Sequence, residues 1–212
     1  MRFPLLASFL LASVVSTTPV SAQLLVPLTT PDGRVACTQG MTGIGRPAAW
    51  RALADPDGPS GWVLTETAAD PTDSRFPLCV NEQAILRDLD ATLRFKLVSG
   101  ARERVAGFVF RAQSANDYYV VRASALENSV RFYRMEKGKR RQIGGKEIQV
   151  ESGKWHSLRV VAVNDRFEVM LNGTSLFNAT DRTLPQAGPV GVWSQADSVT
   201  YYGSLLMGPI QR

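Results

Sequence analysis

The chain has 212 residues, a formal net charge of +5, one histidine and two cysteines. A chain of this length can bury one sizeable hydrophobic core. The charge is too modest to hold a polyanion by itself, and three histidine and cysteine side chains are too few for the usual four-ligand zinc site. We therefore expect no metal ion and no cofactor.

The first 22 residues have the pattern of a secretory signal peptide. Arg2 gives a positive start, residues 5–15 form an apolar run, and a small-residue cleavage site ends at Ala22. The run is too short to span a bilayer, although an uncleaved N-terminal anchor is the alternative. Because residue 23 is Gln and not Cys, a lipoprotein anchor is disfavoured. The sequence thus predicts a secreted or periplasmic protein with no membrane span.

Residues 23–85 hold most of the prolines and several turn pairs, so we expect irregular structure with short strands such as Trp62–Thr65. Cys37 and Cys79 are the two cysteines of the chain, and an even number in an exported protein predicts one disulfide. Two free thiols are the alternative. Closing a loop of this length stabilises a fold by roughly 4 kcal/mol on the chain-entropy model.

From residue 84 onward the hydrophobic pattern becomes regular. Leu93, Phe95 and Leu97 alternate with polar residues, and Phe108 and Phe110 do the same further on. Further strand-like segments are residues 118–123, 130–134, 189–194 and 199–207. A short helix over residues 81–89 is the one helical element that we expect.

Residues 154–178 predict a meander of three antiparallel strands joined by two tight turns. Side chains alternate between two faces on each strand, as in the Leu158–Ala162 segment. The turns fall at Asn164-Asp165 and at Asn172-Gly173, residue types that tolerate the positive φ of a two-residue hairpin. With strands recurring about every ten residues, the sequence predicts an all-β, two-sheet antiparallel jelly-roll sandwich. The single domain covers residues 23–212 and includes an irregular, disulfide-tied N-terminal segment.

Three blocks of sequence carry a resemblance to a known family: GFVFRAQSANDYYVVRAS, GKWHSLRVVAVNDRFEVMLNG and GPVGVWSQADSVTYYGSLLM. In order and spacing they resemble the concanavalin A-like, laminin-G-like jelly rolls of secreted bacterial proteins. The likeness is strongest to 3-keto-disaccharide hydrolase domains and covers about residues 85–208. It implies the same sandwich fold and a link to glycans. Where that family has two acidic residues after the aromatic pair of its last strand, this chain has Gly203 and Ser204, which puts a catalytic role in doubt.

Aromatic and polar residues on a concave sheet face are the remaining signal for ligand binding. Sugars stack on aromatic rings and form hydrogen bonds with Arg, Asn and Asp. Alternation directs Arg111 away from the core that Phe108 and Phe110 face. The predicted ligand-binding residues are Arg111, Asn116, Tyr119, Trp193 and Asp197. Packing in the core or at the rim is the alternative, especially for Trp193.

A basic cluster, Lys137, Lys139, Arg140 and Arg141, surrounds a predicted hairpin tip. A solvated loop that keeps a sheet edge soluble is the simpler interpretation. Contact with an anionic glycan or cell-envelope polymer is the functional one. Export makes nucleic acid an unlikely partner, and the oligomeric state cannot be inferred from these patterns.

Residues for catalysis do not form a recognisable set. Glycoside hydrolysis normally needs two carboxyl groups, but Glu147 and Glu151 flank a turn and Glu168 stands alone. A triad built on His156 lacks any nucleophile motif around it. We therefore interpret the chain as an exported, non-catalytic jelly-roll module that binds carbohydrate or an extracellular surface. The alternative is a small secreted glycoside hydrolase of the 3-keto-disaccharide type.

Overall fold

The computed structural model describes residues 23–208 and 210, and this part of the chain forms fifteen β-strands. Eight of them form one sheet: β1 (Leu24–Val26), β3 (Trp50–Ala54), β4 (Trp62–Glu66), β6 (Leu89–Ser99), β11 (Trp155–Val163), β12 (Arg166–Leu171), β13 (Thr174–Thr180) and β15 (Val199–Gly208). Seven form the other: β2 (Thr38–Gly43), β5 (Arg75–Leu86), β7 (Val105–Ser114), β8 (Asp117–Ser124), β9 (Ser129–Glu136), β10 (Lys139–Glu147) and β14 (Gly188–Trp193). The predicted signal peptide lies outside the described residues.

Strand order within the sheets follows the jelly-roll pattern, in which neighbours come from distant parts of the chain. The eight-stranded sheet runs β13-β12-β11-β6-β15-β4-β3, with β1 paired to β15. The seven-stranded sheet runs β10-β9-β8-β7-β14-β5-β2. Every named pairing is antiparallel. The predicted fold class is confirmed.

The main hydrophobic core lies between the two sheets. Leu93, Phe95 and Leu97 of β6 meet Phe108 and Phe110 of β7 in one cluster, and none of the five is exposed. These are the residues whose alternation predicted strands, so the pattern also identified the buried face correctly. The Cys37–Cys79 disulfide is present and links the segment before β2 to β5, as predicted.

The meander forms as expected, whereas the expected helix does not. Strands β11, β12 and β13 are joined at Asn164-Asp165 and Asn172-Gly173, where Asn172 and Gly173 have φ of +50° and +79°. Residues 81–89 are not helical, because β5 continues to Leu86 and pairs with β14. Within this segment Ala84 and Leu86 pack on the core while Ile85 is exposed, which is a period of two and not of 3.6.

The outer face of the seven-stranded sheet is strongly concave and largely buried. Phe76, Tyr118, Met135 and Trp193 form a second hydrophobic cluster on this face. The guanidinium carbon of Arg140 on β10 lies 5.0 Å from the ring centre of Phe76 on β5, although four strands separate β10 from β5. A sheet can bring such distant strands together only by curling. Its outer face is therefore a concave surface filled by side chains, and it is open to solvent at the rim.

Candidate functional site

Arg111 is buried inside the sandwich, which corrects its predicted place on an open face. A β-bulge interrupts the β7–β8 pairing after Phe110, and Arg111 has φ of +48°. The bulge breaks the alternation on which the prediction rested and turns the side chain inward. Its guanidinium lies 5.3 Å from the Phe167 ring and donates to the carbonyl oxygens of Arg87 (2.6 Å) and Asn164 (2.6 Å). Arg111 therefore ties loops together at one end of the core.

Tyr119 and Trp193 are fully buried, so neither side chain lies on the open sheet face where it was expected. The Tyr119 hydroxyl donates to Asp181 Oδ1 at 2.6 Å, and its ring packs 5.2 Å from that of Phe167. The Trp193 ring stacks on Phe76 at 5.4 Å in the second hydrophobic cluster. Tyr119 thus accompanies Arg111 between the sheets, whereas Trp193 lies on the concave face.

The last two predicted residues, Asn116 and Asp197, lie in loops. Asn116 is exposed at the β7–β8 turn, where its carbonyl accepts from the Gly138 amide at 3.0 Å. Asp197 accepts from the backbone amides of residues 101–103 at distances of 2.8 to 3.1 Å. Burial acts to raise the pKa of Asp197, but these hydrogen bonds outweigh it and hold the pKa below its ordinary value. Asp197 thereby fixes the loop that carries Glu103.

An open groove of about 380 Å³ lies at the rim of the concave face. It is formed where the loop before β5, the loop before β7, the start of β10 and the loop after β14 meet. We call it the rim groove, and its lining residues are Asp73, Ser74, Phe76, Arg102, Glu103, Arg140 and Gln195. These residues combine an aromatic ring, two carboxyl groups, two guanidinium groups and an amide, which is the chemistry expected for binding a polyhydroxy ligand.

One amide joins the two charged side chains at the centre of the rim groove. Gln195 is 3 % exposed; its Oε1 accepts from Arg140 Nη1 at 2.8 Å and its Nε2 donates to Glu103 Oε1 at 3.0 Å. Arg140 also lies over the rings of Phe76 (5.0 Å) and Tyr133 (4.8 Å), which restricts its movement. We call this arrangement the amide bridge.

The other charges around the rim groove are already paired. Arg102 binds both carboxylate oxygens of Asp73, and both side chains are more than half exposed. Just behind the groove, Arg122 Nη2 contacts Glu127 at 2.7 Å. Among the described residues, Arg122 Nε and Nη1 are buried without a hydrogen-bond partner. Such unpaired buried donors are costly in a folded protein and rare in native structures.

The two glutamates near Arg122, Glu103 and Glu127, have pKa values shifted in opposite directions. Burial raises the pKa of Glu103 above its ordinary value; Arg122 opposes this shift and Glu127 adds to it. Burial also acts to raise the pKa of Glu127, but the hydrogen bond and charge of Arg122 outweigh it and lower that pKa. Burial lowers the pKa of Arg140. The rim groove is therefore partly desolvated, a condition under which polar contacts to a ligand gain strength.

The basic cluster divides between two environments. Lys137, Lys139 and Arg141 are exposed around the β9–β10 hairpin, while Arg140 turns into the rim groove. Sequence analysis identified Arg140 as basic but could not show its contact with Phe76. It missed Glu103 and Gln195 because both lie in loops without periodicity. The one local signal was Arg122, a charged residue that directly follows the apolar run of residues 118–121 in β8.

Other chemistries find less support in the structure. His156 is 8 % exposed, and its Nε2 and Nδ1 lie 2.8 Å from Glu151 O and 3.0 Å from Asn172 Nδ2, so the ring is engaged in structural contacts. Across residues 23–208 and 210, no three His, Cys, Asp or Glu side chains are grouped to hold a metal ion. The same range contains no helix long and apolar enough to cross a membrane.

Comparison with known proteins identifies the fold but no sequence family. No family model matches the chain, and no curated protein matches it by sequence. The carbohydrate-binding module CBM66 from Bacillus subtilis is similar in structure, with a TM-score of 0.61 and 19 % identity over 77 % of this chain and 92 % of that one. A Bacillus subtilis protein of unknown function with a galectin-like fold gives a TM-score of 0.59 at 8 % identity, covering 82 % and 90 % of the two chains.

A β-glucanase from Bacillus licheniformis shares the fold as well, with a TM-score of 0.52 and 10 % identity over 81 % of this chain and 98 % of the enzyme. At such low identity these likenesses show a concanavalin A-like sandwich and nothing finer. The fold carries both binding proteins and enzymes, so function has to be argued from the site.

Proposed function

We propose that this protein is an exported, non-catalytic module that binds carbohydrate in the rim groove. The observation that supports this most is the amide bridge, which places a guanidinium and a carboxyl group beside the aromatic ring of Phe76 in a partly desolvated groove. A sugar suits this arrangement, because its hydroxyl groups can accept from a guanidinium and donate to a carboxylate. Structural similarity to a carbohydrate-binding module agrees with the proposal.

Export is part of the proposal because the N-terminal pattern and the disulfide both suit an oxidising compartment. Secretion is tested by N-terminal sequencing of the protein recovered outside the cytoplasm. The proposal expects a mature chain that begins at Gln23. A chain that retains Arg2 would contradict it.

Binding is tested with immobilised neutral and charged polysaccharides and three variants. Arg140→Gln and Glu103→Gln remove the charges of the amide bridge, and each should weaken binding about ten- to a hundredfold, the effect of losing a charged hydrogen bond worth ~1.5–3 kcal/mol. Arg141→Gln is the matched control, because Arg141 is the exposed neighbour of Arg140 on the same strand. Equal losses in Arg140→Gln and Arg141→Gln would place binding outside the rim groove.

Hydrolysis of a glycosidic bond, as the resemblance to 3-keto-disaccharide hydrolase domains implies, is a second candidate. One observation favours it: Glu103 and Glu127 both interact with Arg122, and their surroundings move their pKa values in opposite directions. A carboxyl group of raised pKa beside one of lowered pKa suits acid and base roles. Turnover of a 3-keto-glucoside by the wild-type protein, abolished in Glu103→Gln, would favour the enzyme over the binding module.

A further inference from the structure

We infer that the rim groove recognises a pair of adjacent hydroxyl groups on a neutral sugar, and that it discriminates against anionic glycans. This inference rests on the proposed function and specifies its ligand class. It depends on which hydrogen-bonding groups the rim groove leaves available.

Two of the available groups are a donor on Arg140 and an acceptor on Glu103, and Gln195 holds these two side chains together. Arg140 Nη1 and Glu103 Oε1 are occupied by the two ends of the same side-chain amide. In the part of the chain that the structure describes, Arg140 Nη2 and Glu103 Oε2 have no hydrogen-bond partner. The guanidinium can only donate, and an ionised carboxylate can only accept. Two hydroxyl groups on neighbouring carbons match this pair, because one accepts from Arg140 while the other donates to Glu103.

The position of the amide bridge is determined by buried structure and not by a flexible loop. Arg75 is fully buried, and its Nη1 donates to Ala196 O at 3.0 Å, next to Gln195. The Ala196 amide donates in return to Arg75 O at 3.0 Å. Arg75 itself is held by Glu66 at 2.8 Å. Because Gln195 is positioned before any ligand arrives, little entropy is lost when a diol binds.

The charges explain why an anionic glycan is disfavoured. The charges of Arg102 and Arg122 are offset by the carboxylates of Asp73 and Glu127, whereas Arg140 has no carboxylate partner among the described residues. An anionic group at Arg140 would also lie near Glu103, whose negative charge repels it. A neutral diol needs no further positive charge and is not repelled by Glu103. The exposed lysines of the β9–β10 hairpin lie outside the rim groove and do not alter this balance.

The test uses full-length mature protein and three forms of each neutral polysaccharide in a panel of dextran, levan, inulin and mannan. The first form is native, the second is sulfated, and the third is oxidised with periodate and then reduced, which cleaves bonds between adjacent hydroxyl-bearing carbons. Isothermal titration should show at least one native form binding, its oxidised form at least tenfold weaker, and its sulfated form no tighter. Arg140→Gln and Glu103→Gln should each lose about ten- to a hundredfold in affinity for the native form, while Arg141→Gln should not.

Several results would overturn the inference. Equal binding of native and oxidised forms would show that no diol is recognised, and tighter binding of a sulfated form would show an anion site. Either result, with Arg140→Gln still weakened, would leave the proposed carbohydrate function intact. If no native form binds, both the inference and the proposed function fail. A sharp fall in affinity for the native form between 50 mM and 500 mM salt would also contradict a neutral ligand, because salt screens charge–charge contacts.

Discussion

Replacing Arg75 with methionine should destabilise the protein severely, because it breaks a fully buried ion pair. Arg75 and Glu66 are 0 % and 1 % exposed, and two guanidinium nitrogens of Arg75 contact the carboxylate at 2.8 and 3.1 Å. Arg75 also donates to three backbone carbonyls, those of Arg46, Pro47 and Ala196. Methionine keeps much of the aliphatic stem but leaves a buried carboxylate without its countercharge.

Loss of one partner from a buried pair costs about 3–5 kcal/mol. For a domain of this size each kcal/mol lowers the melting temperature by about 2–4 °C, so the expected fall is roughly 6–20 °C. Urea unfolding monitored by tryptophan fluorescence gives the free energy, with Arg141→Met as the exposed control. The double variant Glu66→Gln with Arg75→Met removes both charges and should lose less than Arg75→Met alone. A cost for Arg75→Met near that of an ordinary surface change, within about 0.5 kcal/mol, would refute this reasoning.

Two further predictions concern a turn and a buried phenol. Gly173 has φ of +79° and no heavy atom within 4 Å of an added Cβ, so Gly173→Val should cost about 1–3 kcal/mol through backbone strain alone, and Gly173→Asn should cost less. Equal unfolding free energies for the two variants would refute the assignment of this cost to backbone strain. Burial raises the pKa of Tyr118 to about 12 from its ordinary value of 10.0, with hydrogen bonds to Thr42 and Trp193 opposing the shift. Because the folded state keeps this proton to higher pH than the unfolded state, stability should fall by about 2 kcal/mol between pH 10 and 12 on account of Tyr118. Urea unfolding across that pH range should show a smaller fall in Tyr118→Phe, and an identical fall in both proteins would contradict the assignment.

The sequence predicts the fold well because alternation reports directly on which side of a strand is buried. The segments around Leu93, Phe108 and Leu158 each place their apolar residues in the core. The helix expected over residues 81–89 fails because a short apolar run does not distinguish a strand end from a helical turn. What decides it is pairing with β14, which is more than a hundred residues away.

The site is harder to predict, because it depends on two features that one strand cannot reveal. The bulge after Phe110 reverses the direction of Arg111, and the curvature of the seven-stranded sheet brings Arg140 onto Phe76. Glu103 and Gln195 enter the rim groove from loops whose shape is set by Asp197 and Arg75. None of these contacts produces a periodic pattern of residues in the sequence.

The most direct measurement is a map of chemical-shift changes as isotopically labelled protein is titrated with the native polysaccharides of the panel. The side-chain amide of Gln195 and the Nε–H of Arg140 should shift in proportion to occupancy, because both lie in or beside the amide bridge. The indole N–H of Trp155, which donates to Asp57 and belongs to a strand of the other sheet, is the internal reference and should stay unchanged. Shifts that move Trp155 and leave Gln195 and Arg140 in place would contradict binding in the rim groove.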